Sequence, residues 1–130
     1  MKRISTILSD EILKSLIMNN ETVVLNFKKH YHVIEFAVKN KKVVRCDRKS
    51  IYGNKHVMKD KSERERERVV RAYWLDIKHG RTHLKEKDFR ELIGKALVCW
   101  CSPLRCHCDA LKFVADKLRD GHSLDEIRRM

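Results

Sequence analysis

The residues best equipped for chemistry lie between Cys99 and Asp109, in the run C-W-C-S-P-L-R-C-H-C-D. Thiols, an imidazole and a carboxylate fall within a short length of chain, and three readings fit them. In the first, Cys106 sits near a helix N-terminus, where the positive end of the helix dipole eases ionisation of a thiol. His107 then transfers protons and Asp109 fixes the imidazole, which is the set an acid–base or nucleophilic catalyst needs. Arg105 and the free N–H groups of the same turn make an anion pocket suited to phosphate or carboxylate. In the second reading, Cys99, Cys101, Cys106 and His107 form a Cys₃His set for zinc, with Cys101, Cys106 and His107 as its core. Its spacing is unfavourable, because Cys-x-Cys on a straight strand strains a chelate that structural zinc usually takes from C-x-x-C-like turns. No cofactor is otherwise called for, so zinc or another divalent metal is the one ion to consider. In the third reading, Cys99 is a small core residue of a buried strand and Cys108 a surface thiol.

A second chemical feature is positive charge. The 130 residues carry 30 Lys and Arg against 18 Asp and Glu, a formal net charge of +12. Residues 26–60 contribute 10 basic and 3 acidic side chains, hence +7 of that total. Arg45, Arg48, Lys49 and Lys55 stand there beside Gly53 and Asn54, interleaved with Tyr31, Tyr52 and His56. Such a mixture grips phosphates and stacks on bases, so DNA, RNA or a nucleotide is the expected partner, and an acidic host protein the alternative. The run SERERERVVR reads differently, as a solvated helix face whose acids complement the helix dipole and whose Glu67 and Arg71 form an i, i+4 pair.

The elements that must position these groups follow from periodicity. With 42% hydrophobic and 37% charged residues the chain has enough apolar matter for one core beneath an ionised surface, and its length suits one domain. Ser9 caps a short helix bearing Ile12, Leu13, Leu16 and Ile17 that ends at Asn19 and Asn20, and residues 1–20 read as a helical addition. Residues 21–121 read as a single domain. Its first part, 21–46, has the β-branched and aromatic content of two or three strands, including VIEFAV and KKVVRC. Residues 47–61 have no clean period and form an irregular loop. Ser62 and Glu65 make a capping box for a helix ending at Gly80, and a shorter helix covers 85–93 with Gly94 as its stop. ALVCWC is then a strand, followed by a helix carrying Leu111, Val114, Ala115 and Leu118, and residues 122–130 form a short basic tail helix. Alternation of this kind predicts a small Rossmann-like α/β domain, a short mixed sheet flanked by helices. Ligands of open α/β sheets sit beyond the carboxyl ends of the strands, which puts a site at the loop 101–106.

The order VVRCDRKSIYGN, a capped helix, then ELIGKALVCWCSPLRCHCDAL resembles the domain of unknown function 4326 family, seen in phage and mobile-element proteins. Gly94-Lys95, Cys99-Trp100-Cys101, Pro103, Cys106-His107, Asp109 and Leu111 carry the likeness, with Arg48, Ser50, Gly53 and Asn54 in its other stretch. Lys55-His56 replace the Pro-Phe that family shows, and Cys108 stands where it has a small residue. The resemblance implies a small α/β domain with a site built jointly by the Gly53-Asn54 loop and the Cys106-His107-Asp109 turn.

Several classes are set aside. Four cysteines crowded between Cys99 and Cys108 make a poor disulfide framework, and Ser9, Asp10, Glu11 and Lys14 interrupt any signal-peptide core. No run approaches the length of a membrane span, and the expected location is the cytoplasm. The leading expectation is nucleic-acid or nucleotide binding through the basic loop and the Cys/His turn. A nuclease or nucleotide-modifying enzyme using Cys106, His107 and Asp109 is the alternative.

Overall fold

The computed structural model describes residues 9–100 and 104–130. Three short strands, β1 (Val23–Asn26), β2 (Val43–Arg45) and β3 (Ala96–Cys99), form a sheet in the order β1-β3-β2. The expected mixed sheet is parallel throughout: Ala96 pairs with both Val23 and Val43, placing the last strand of the sequence at the centre. All four residues of β3 are buried, as a parallel strand covered on both faces requires.

Strand alternation splits the core in two. Val23, Leu25 and Ala96 face one side, where α1 (Asp10–Met18) and α2 (Tyr31–Lys39) deliver Leu13, Ile17, Val33 and Ala37. Val24, Leu97 and Cys99 face the other, covered by α3 (Glu63–Lys78), α4 (Glu86–Arg90), α5 (His107–Arg119) and α6 (Leu124–Arg128). The result is an α/β domain of three layers. Helix α1 belongs to it closely, since Leu13 and Ile17 are fully buried, each such burial being worth about 1.5–3 kcal/mol.

One element differs in kind from expectation. Residues 21–46 hold two strands separated by a helix, because VIEFAV lies in α2. Val33 and Ala37, four apart, are both fully buried, so the segment satisfies helical spacing despite its β-branched content. Two parallel strands need a crossover between them, and α2 supplies it. The other elements fall where the sequence puts them. Ser9, Ser62 and Ser123 accept hydrogen bonds from the N–H groups of Ile12, Glu65 and Glu126, as N-caps do. Residues 46–62 contain no helix or strand. Gly94 ends the α4 region with φ +74°, and a side chain there would press on the Asn20 backbone at 3.2 Å. Thr22 fastens the same corner, its Oγ1 donating to the Leu92 carbonyl and accepting from the Gly94 N–H. Among the described residues no helix is long and apolar enough to cross a membrane.

Candidate anion-binding pocket

At the carboxyl ends of the strands lies a pocket of about 360 Å³. Its wall comes from the loop after β2 (Arg48, Lys49, Asn54, His56), from α3 (Arg66, Val69, Val70) and from the β3–α5 connection (Cys99, Trp100, Arg105, Cys106, His107). The position follows from topology, since parallel strands end together and the helix after β3 begins at that edge.

The turn opening α5 is tightly organised. Cys106 is the N-cap, with extended backbone; its N–H donates to Asp109 Oδ2 at 3.0 Å while its carbonyl accepts from the Asp109 N–H at 2.9 Å. Asp109 therefore acts as the cap of its own helix. The imidazole is held elsewhere: His107 Nε2 lies 2.5 Å from the Cys46 carbonyl oxygen, which can only accept, so Nε2 carries the proton. The edge of Tyr73 packs on the ring at 5.2 Å between centroids, and the Tyr73 hydroxyl donates to the Tyr52 carbonyl. Burial pulls the His107 pKa below the ordinary value, opposed by the hydrogen bond to Cys46, so the ring is neutral at pH 7.

Cys108, expected at the surface, is fully buried. As the second residue of α5 it turns inward, and its sulfur joins those of Cys99 and Cys106 in a group whose members all lie within 4.8 Å of one another. Cys99 Sγ and Cys106 Sγ are 3.4 Å apart. This triad could hold a metal ion. Burial and the neighbouring thiols raise the Cys108 pKa well above the usual range. Cys101, named for the zinc set, lies outside the described residues. His107, with Nε2 engaged by Cys46, is not among the ligand atoms that cluster within 4.8 Å of one another.

The basic residues divide into two groups. Arg48, Lys49 and Arg105 line the pocket. Arg45 does not: it grips Asp47 with two hydrogen bonds of 2.7 Å, drawing the Asp47 pKa down, and lies over the Phe27 ring at 5.2 Å. Phe27 in turn packs on Trp100 at 4.6 Å, so Arg45 buttresses an aromatic rim. Lys55 is exposed and outside the lining. Gly53 and Asn54 shape the loop. A Cβ on Gly53 would stand 2.6 Å from Arg48 Cα and 2.7 Å from the Asp47 oxygen, so only glycine permits this crossing. Asn54 is buried, its Nδ2 donating to the Val69 carbonyl and its Oδ1 accepting from the His56 N–H. The loop is thereby tied to α3, and both segments named by the family resemblance meet at one pocket.

Arg66, Asp76 and Cys46 escaped the sequence reading. Arg66, assigned to a solvated face, lines the pocket; it precedes the buried Val69 and Val70 by three and four residues, a spacing that marks the same helix face. Its neighbour Glu67 pairs with Arg105 at 2.7 Å rather than with Arg71. His56 Nε2 lies 2.7 Å from Asp76 Oδ2, and Arg81 Nε donates to the other oxygen at 2.9 Å. Burial pushes the Asp76 pKa up, but His56 and Arg81 together outweigh it and hold the carboxylate below its ordinary range. Cys46 supplies the carbonyl that positions His107, a contact that no local spacing signals.

The chain matches no curated protein and no solved structure. A family profile matches residues 20–117, and the chain belongs to that family, the domain of unknown function (DUF4326).

Proposed function

We propose that the protein binds a phosphate-bearing nucleotide unit in this pocket, either a free nucleotide or the end of a nucleic-acid strand. The observation that carries the reading is the convergence of Arg48, Lys49, Arg66 and Arg105 with the first turn of α5 on one cleft of about 360 Å³. Asp47 is already paired with Arg45 and Arg105 with Glu67, so Arg48, Lys49 and Arg66 leave the cleft with a positive excess. N–H groups at a helix N-terminus and guanidinium forks both bind phosphate. Trp100, 60% exposed and backed by Phe27, offers a face on which a base can stack. The volume falls in the range of small-ligand sites. The thiol triad behind the same wall makes zinc the one cofactor that fits this reading.

Isothermal titration tests it with three probes: inorganic phosphate, nucleoside mono- and triphosphates, and 5′-phosphorylated single-stranded oligonucleotides. Phosphate-dependent binding that weakens with added salt is expected, and the ranking of the last two probes identifies the source of the phosphate. Arg48→Ala and Arg66→Ala should each weaken binding about tenfold, or about 1.4 kcal/mol, with circular dichroism unchanged. Binding indifferent to both changes, or absent with every probe at low salt, would sink the proposal.

A further inference from the structure

The strongest unassigned feature is the thiol triad behind the pocket wall. We infer that Cys99, Cys106 and Cys108 form a three-thiolate site for a soft divalent cation, zinc foremost, held between the end of β3 and the first turn of α5. Four observations converge on it. The ligands come from two elements that are fixed independently, the central strand of the sheet and a helix capped by Asp109. Their sulfurs already cluster: Cys99 and Cys106 are 3.4 Å apart, and all three lie within 4.8 Å of one another. Tetrahedral zinc with bonds of about 2.3 Å needs sulfurs about 3.8 Å apart, so rotamer adjustments of less than about 1 Å close the site. The three residues are buried, at 1%, 2% and 0% exposure, which excludes the flexible surface thiols that oxidise before they ligate. An entry route exists, because Cys99 and Cys106 also line the pocket.

The charge balance is favourable. Binding releases three thiol protons to solvent and leaves a centre of net charge −1, which the N-terminal end of α5 and the nearby cations Arg48 and Arg66 offset. The fourth coordination place is left for water or an oxygen from the pocket side. Thiolate donors select zinc over magnesium or calcium, which take oxygen ligands. Neither Cys101 nor His107 is required. The set differs from the Cys₃His set considered from the residue types by replacing both with Cys108, which reaches the cluster because α5 begins at His107 and turns its second residue inward.

Cobalt substitution tests the inference without any nucleotide, so its result is independent of the proposed function. The reduced, chelator-treated full chain is titrated with Co²⁺ and watched for thiolate-to-cobalt charge transfer in the near ultraviolet. About one ion per chain should bind, with Zn²⁺ displacing it. Cys99→Ser, Cys106→Ser and Cys108→Ser should each lose the band or weaken binding at least about tenfold. X-ray absorption of the wild-type zinc form needs no variant and should count three sulfurs at about 2.3 Å. A folded wild-type chain with no charge-transfer band, a zinc shell lacking sulfur, or a band that survives in a folded Cys108→Ser protein with undiminished affinity overturns the assignment.

Discussion

On one side of the sheet, Leu13, Ile17, Val33 and Ala37 pack against Val23, Leu25 and Ala96, with no thiol among the described residues of the cluster. On the other, Cys46, Cys99, Cys106 and Cys108 are built into the same core as Tyr73, Leu97 and Leu111, with His107 against it. The two sides share the same three strands, so alternation along each strand hands one residue to stability and the next to chemistry. Val98 serves the first and Cys99 the second. The difference shows how a chain of this length holds a reactive cluster without a second module: one face carries packing alone, and the other spends part of its packing on polarisable groups that also line a cleft.

The comparison can be broken from either side. The largest effect is expected at Ile17→Ala, which opens a cavity in the apolar face and should cost about 2–5 kcal/mol in urea unfolding. Nucleotide affinity of the folded fraction should not move; a parallel loss of affinity would mean that the two faces are not separable. Gly53→Ala should come next. Its methyl meets the Arg48 and Asp47 backbone below 3 Å, so about 1–3 kcal/mol of stability is lost and Arg48 is displaced, weakening anion binding as well. Stability loss with unchanged affinity would show that the loop is only a connector. The smallest effect concerns pH. Asp76 titrates below its ordinary value of 3.8 in the folded chain, so its stabilising contribution is complete above that value and is lost as pH falls through the folded value. Acid unfolding of the wild type should therefore be steeper below about pH 4 than that of Asp76→Asn, and equal slopes would remove the His56–Asp76–Arg81 cluster from the account of this face.

Much of the fold could be read in the residues because its signals are local. Ser9, Ser62 and Ser123 announce three helices, and Gly80, Gly94 and Gly121 close three segments with positive φ. Segment 31–39 misled because VIEFAV combines strand-like residue types with helical burial, and what decides between them is the crossover demanded by a strand inserted much later. The site divides in the same way. Cys106, His107 and Arg48 stand out by type and neighbourhood, and all three line the pocket. Cys108 appeared peripheral because the spacing Cys106-x-Cys108 does not say which way the second residue of a helix faces. Cys46 and Asp76 act through partners distant in sequence, His107 and His56, which no local pattern encodes.

The central place of β3 has a further consequence, for the order of folding. β1 and β2 share no hydrogen bonds and meet only through Ala96, Leu97 and Val98. As the chain leaves the ribosome, neither strand has a partner until the strand between them has been made, so the sheet, the pocket and the thiol triad form in one late step. Loop closure over long separations is paid for at that step, which makes folding slower than the helical content suggests. It also means that the cluster of thiols does not exist in any earlier, partly folded form: the metal-binding geometry and the completed fold arrive together.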